Sequence, residues 1–293
     1  MSALVVAVGA LPFVLRTHLT AFILGRLVMG LGSGGLWMGV TYATLARWPG
    51  QEYRCMSRIF AAYSAGALLG PVFGALGGVR APFAAYILIA LVGAGAVPLM
   101  GRPGERRPFT TDRSLLRAPG FALASVGISF AVLGLGVVDG VLPLHLGTRL
   151  SQQGIAALFV GVAVIHAMGA TLAGRVAPRM ALAISAAIVV AGIGVTSAVE
   201  APIVWFAALA IGGVGVGFGE TASVGVLLDA VPAERSVTAM VVWSQIGIVG
   251  YIVGPLAGGV VAQTLGFAWM GLVPFLGAVP VMVLMRRTRT SAE

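Results

Sequence analysis

The chain has 293 residues, 59% of them hydrophobic and 9% charged, with a net charge of +9 and a mean hydropathy of +1.02. A soluble domain carries about a quarter charged residues, so this composition excludes a soluble globular protein and points to a polytopic membrane protein. Every basic residue is an arginine, and these arginines cluster in loops between apolar runs, which explains the charge better than nucleic-acid binding does.

Ten apolar segments follow one another near 3–15, 19–45, 58–79, 82–100, 120–145, 153–173, 180–199, 202–229, 237–264 and 266–285. Each is judged against the roughly 20 residues a helix needs to cross the hydrocarbon. The first is short. It lacks the basic start of a signal peptide, and Arg16 comes after its apolar run rather than before it. With both termini placed in the cytoplasm, fourteen of the eighteen arginines fall in inside loops. Arg16, Arg80 and Arg149 fall outside, and Arg26 lies within the second segment. That asymmetry satisfies the positive-inside rule and predicts a multi-pass protein of the cell membrane with cytoplasmic termini. The lone Cys55 lies in an inside loop and has no partner for an intrachain disulfide.

The most hydrophilic stretch, around 102–119, holds five arginines and reads as a cytoplasmic linker. It separates a first bundle of four spans (1–101) from a second of six (120–285), with a short tail at 286–293. An internal repeat relates the two halves. Gly66-x-x-x-Gly70-Pro71-x-x-Gly74 returns as Gly250-x-x-x-Gly254-Pro255-x-x-Gly258, the two prolines 184 residues apart. Glycines four apart open a groove along one helix face, and the proline bends the helix. Gly30-Leu31-Gly32-Ser33-Gly34 is matched in the same way by Gly215-Val216-Gly217-Phe218-Gly219. The second half begins its first span near Gly120, so the same offset puts the first half's counterpart ahead of Met1. The pattern therefore expects two more spans there, as if ten-twelfths of a six-plus-six design were present.

Four titratable or charged residues inside spans invite a functional reading. Arg26 costs at least ~2.5–3.5 kcal/mol in hydrocarbon, so it should face a cavity or a partner. Glu220 sits among glycines in the eighth span, and a carboxylate there can carry a proton. Asp139 in the fifth span lies nearer the outer surface, and His166 in the sixth is a residue type that titrates near neutral pH. Each has a structural alternative: a snorkelling arginine, an interfacial carboxylate, or an interhelical hydrogen bond. Trp37, Tyr42, Trp205, Phe218 and Trp243 read either as an aromatic lining for an amphiphilic substrate or as packing. Asp229 and Glu234 beside Arg235 read as a cytoplasmic charge cluster. No phosphate-binding loop, H-E-x-x-H, Cys/His cluster or G-x-S-x-G is present, which argues against an ATP-driven pump, a metal site and a hydrolase.

With these motifs in place, the sequence resembles the major facilitator superfamily, and within it the drug:proton antiporter branch. Arg26 with Gly30 and Gly32 resembles that family's fourth-helix motif. Gly66, Gly70, Pro71 and Gly74 resemble its fifth-helix antiporter motif, with Gly250, Gly254, Pro255 and Gly258 as the echo in the eleventh helix. Leu172-Ala173-Gly174-Arg175-Val176-Ala177-Pro178-Arg179 resembles the second-half copy of the family's G-x-x-x-D-R-x-G-R-R loop, with glycine in the place of its aspartate. The resemblance implies an all-α two-bundle fold of about ten helices here, the first bundle truncated. It places Arg26, Asp139 and Glu220 on helices that line the family's central cavity. It further implies proton-coupled efflux of a small amphiphilic compound by a monomer in the bilayer, driven by the proton gradient without cofactor, metal or nucleic acid. Uptake or export of a polar metabolite such as a sugar or organic acid, and a non-transporting remnant, stand as alternatives. No enzymatic activity is expected.

Overall fold

The computed structural model describes residues 1–15, 18–67, 69–70, 72–73, 80–96, 114 and 118–290, with side chains described as far as residue 288. Among the described residues the chain is helical, with no strand. Among the described residues each of the ten apolar segments contains helix, and seven helices are long and apolar enough to cross a membrane. Pro71 and Gly74 of the first antiporter-like motif lie outside the described residues, as does nearly all of the 102–119 linker.

The chain divides into two compact units, Met1–Pro49 with Leu69–Arg107, and Gly50–Leu68 with Pro108–Glu293. The first unit contains α1 (Ser2–Leu15), α2 (Leu19–Arg47) and α4 (Arg80–Ala96). Gly9 and Gly25 face each other across the α1–α2 seam, and a Cβ on Gly25 would meet the Gly9 carbonyl oxygen at 2.6 Å. Gly32 lies as closely against Val6. Backbone contact at small residues is how membrane helices associate when lipid is as apolar as their side chains. Ala10, Phe13 and Met29 form the core of this unit, with Phe22, Phe83 and Ile87 packed on it.

The second unit contains α3 (Glu52–Ala67), α5 (Pro119–Gly140), the short α6 (Leu142–Leu146), α7 (Gln152–Ala173), α8 (Pro178–Ala198), α9 (Pro202–Ala230), α10 (Ser236–Thr264) and α11 (Leu272–Thr290). Helix α9 is its axis and packs against α5, α7 and α8, while α10 and α11 lie on α5 and α3 lies on α7. Prolines stand at the starts of α5, α8 and α9, where a missing N–H costs nothing. Ser151 caps α7 by accepting a hydrogen bond from the Gly154 N–H at 3.2 Å. Gly266, with φ +93°, makes the turn that returns the chain from α10 towards α11.

Two boundaries differ from the sequence reading. The fifth segment is broken at Val141, because Pro143 has no N–H to give the Asp139 carbonyl four residues earlier. The last helix runs through Thr290 rather than ending near 285. Arg286 and Arg287 are good helix formers, and their charge suits the carbonyl end of a helix.

Candidate functional site

Helices α7 and α9 approach so closely that backbone touches backbone. A Cβ on Gly169 would meet the Val214 carbonyl oxygen at 2.6 Å, and one on Gly213 the Val162 carbonyl oxygen at 3.0 Å. At Gly217 a Cβ would press on the Ala170 nitrogen at 2.6 Å and on the His166 ring at 2.9 Å. Gly215 and Gly219 do the same work toward α8, against Val189 and Ser185. The glycine series of α9 is therefore a close-packing device, and its consequence is to seat two polar side chains in the interior.

Those side chains are His166 and Glu220. His166 Nε2 and Glu220 Oε2 are 3.0 Å apart, with the residues 5% and 4% exposed. Beside His166 lies a cavity of about 20 Å3 bounded by Leu135, Val138, Val162, Val189 and Val216, room for a single water. The Ser223 hydroxyl donates to the Glu220 carbonyl at 2.8 Å, and the Thr221 hydroxyl to that of Ala170 at 3.3 Å. A neutral imidazole with a carboxylic acid and an imidazolium with a carboxylate have the same net charge, zero. Gaining one proton gives an imidazolium beside a carboxylic acid, +1, and losing one gives an imidazole beside a carboxylate, −1; in either case a single charge is left that the hydrogen bond across the contact can stabilise.

Asp139 lies on the surface of the same unit, in the last turn of α5. The Tyr251 hydroxyl donates to its Oδ2 at 3.2 Å. The seam that sets up this contact is the second antiporter-like motif. Pro255 leaves the Tyr251 carbonyl without its helical donor, and Gly136 of α5 lies against that oxygen, where a Cβ would stand 2.7 Å away. Gly250 presses on the Ser129 carbonyl, Gly254 on that of Leu133, and Gly140 on the Pro255 ring. Three of the four candidates, Asp139, His166 and Glu220, thus belong to the second unit.

Arg26 belongs to the other unit. It is exposed on α2, its guanidinium 5.2 Å from the centre of the Phe13 ring and 5.3 Å from that of Phe83, two rings that stack at 4.1 Å. Cation–π attraction holds it there, and among the described residues it has no carboxylate partner. Of its motif glycines, Gly32 is buried in the α1–α2 seam, while Gly30 has no described atom within 4 Å of a Cβ position. Gly66 and Gly70 of the first antiporter-like copy are equally open.

The aromatic-lining reading fails for three residues. Trp205, Trp243 and Phe218 are buried core, and the two indole N–H groups donate to the carbonyls of Val199 and Ala124 at 2.5 and 3.2 Å. Asp229 at the end of α9 is exposed and acts electrostatically on Tyr53, while Arg235 donates to the Ser114 hydroxyl at 3.2 Å. Sequence reasoning missed Tyr251. The available signal was a phenol inside an apolar motif helix, at a position where a leucine would pack equally well. Among the described residues no cluster suited to a metal ion is found.

No protein-family model matches the chain. Curated relatives include the mouse synaptic vesicular amine transporter, 25% identical over 236 residues, which cover 74% of this chain and 45% of that protein. The human protein of the same name is 24% identical over 274 residues, 87% of this chain and 47% of its own. The chain thus spans about half the length of the curated relatives it matches. Among solved structures, the human organic anion transporter MFSD10 superposes with a TM-score of 0.73 at 16% identity, over 96% of this chain and 75% of that one. The major facilitator transporter FucP, in its outward conformation, gives 0.67 at 17% identity, over 97% and 81%. The fold is that of the major facilitator superfamily, and the protein is an integral, multi-pass membrane protein.

Proposed function

We propose that this protein is a secondary active transporter that exports a small amphiphilic compound in exchange for protons by alternating access. The observation that supports it most is the buried His166–Glu220 pair, two titratable groups in contact in the interior of a helix bundle. A purely structural hydrogen bond would not need two titratable groups at this depth. The curated relatives are named as amine transporters, and an exposed carboxylate paired with a phenol suits a protonated amine on an apolar body. In this reading the protein is a monomer in the cell membrane with both termini cytoplasmic. It draws on the proton gradient and uses no cofactor.

A second reading has one observation in its favour. Arg26 lies over two phenyl rings and has no carboxylate partner among the described residues, which suits the carboxylate of an organic acid. A sugar or organic-acid transporter would also fit the neighbours' printed names, an organic anion transporter and a fucose:proton symporter.

Proteoliposomes with an imposed pH gradient separate these readings, using tyramine, ethidium, benzoate and fucose as probes. We expect gradient-driven flux of tyramine or ethidium, lost in both Arg26→Ala and Glu220→Gln while each variant still inserts. Flux of benzoate or fucose alone would favour the second reading. Full transport by both variants would sink the assignment of these residues.

A further inference from the structure

The loop that follows α7 carries the sequence Gly174-Arg175-Val176-Ala177-Pro178-Arg179, in which glycine replaces the aspartate of the pattern it resembles. The loop itself therefore offers no carboxylate. The structure puts a different group there. Tyr53, in the first turn of α3 ahead of its apolar span, donates its hydroxyl to the Ala173 carbonyl at 2.7 Å, with the Val176 carbonyl a second acceptor at 3.4 Å. Ala173 is the last residue of α7, and its carbonyl also accepts the Val176 N–H at 3.0 Å; Val176 lies in the turn that follows the helix.

The contact is shaped on both sides to receive the phenol. Gly174 leaves space for Ser57 of α3, whose hydroxyl would stand 2.6 Å from a Cβ at that position. Gly225 of α9 leaves space for the Tyr53 ring, 2.8 Å from a Cβ there. Met56, Ser57, Phe60 and Ser64 are buried along the same face of α3. Burial, with the Asp229 charge adding to it, pushes the Tyr53 phenol up to about 12, so it keeps its proton and remains a donor across the physiological range.

We propose that Tyr53 is a neutral latch that holds the start of α3 on the α7–α8 loop through a phenol-to-carbonyl hydrogen bond. The latch closes this end of the second unit, and its release is the step that lets α3 part from α7. A hydrogen bond to backbone carbonyls is weak enough to break in each cycle. It is also insensitive to pH and salt, unlike an ion pair. The proposal rests on the alternating-access reading for its role in the cycle, but its geometry and its test do not depend on proton coupling.

The test places a single thiol in the seam. Cys55→Ser removes the chain's one cysteine, and Ser57→Cys introduces a reporter at a position 4% exposed beneath Gly174. In permeabilised membranes, without substrate or gradient, maleimide labelling should be slow in this background. Tyr53→Phe, which keeps the ring and removes only the hydroxyl, should speed it by about threefold to tenfold, with the unfolding temperature in detergent nearly unchanged. Should Tyr53→Phe fail to accumulate, Gly225→Ala displaces the ring from the other side and should act in the same direction. Equal labelling in the parent and the variant overturns the latch. So does faster labelling that only accompanies a matching loss of thermal stability, because Tyr53 would then be a structural strut. Failure of transport with this result intact would count against the proton-coupled reading and not against the latch.

Discussion

His166 and Glu220 satisfy each other by a 3.0 Å contact in a place where neither has water to turn to. Removing one partner from a buried pair leaves an unpaired polar group and costs about 3–5 kcal/mol, whereas replacing both by apolar side chains of similar size is often near neutral. We therefore predict that His166→Leu lowers the unfolding temperature in detergent markedly. The double variant His166→Leu/Glu220→Leu should recover most of the loss. A double variant less stable than either single one would contradict the pairing. Both residues stand out in the sequence as polar groups within apolar spans, but each reads as an isolated candidate. Their partnership crosses 54 residues and two turns of the chain, and it depends on a helix register that hydropathy does not encode. Tyr251 and Tyr53 were less legible still. A tyrosine in an apolar helix signals little until the carboxylate or carbonyl it meets is known. The buried tryptophans show the converse: at sequence level an indole reads equally well as lining or as core, and only its carbonyl partner decides.

At the scale of elements, the helices were legible because membrane spans must be long, apolar and internally hydrogen-bonded. The break at Val141 also has a local cause in Pro143, but a proline inside a span can bend a helix or end it, and packing settles which. Pro255 stays inside α10, while Pro143 opens a new short helix. The second antiporter-like motif works as a backbone seam, which gives its glycines unequal weight. Gly250→Ala would drive a methyl onto the Ser129 carbonyl, and Gly254→Ala one onto the Leu133 carbonyl. Gly259, one residue beyond the motif, has no described atom within 4 Å of a Cβ position. We predict that Gly250→Ala and Gly254→Ala each cost about 1–3 kcal/mol and weaken the Tyr251–Asp139 contact, while Gly259→Ala is neutral. Thermal unfolding of the three purified variants checks this, and equal loss at all three positions would refute the seam.

For the whole molecule, the repeated motifs predicted a two-part helical architecture, and the fold is like that of solved major facilitator transporters. The sequence did not reveal which repeated features do the same work. Gly254 is clamped between α10 and α5, whereas its counterpart Gly70 is open among the described residues. Nor did it foretell that the first turns of α3 pack within the second unit. Internal symmetry in the sequence thus does not carry over into equal contacts for the two copies. We propose that the second unit stores the coupling proton at His166–Glu220. If so, a Glu220→Gln variant should separate two modes of flux in proteoliposomes. The decisive measurement compares gradient-driven accumulation with substrate counterflow at equal pH, using whichever probe the wild type transports. We predict that Glu220→Gln retains counterflow, which moves no net protons, and loses accumulation driven by the pH gradient. Loss of both modes together, or retention of both, would contradict a proton store at this pair.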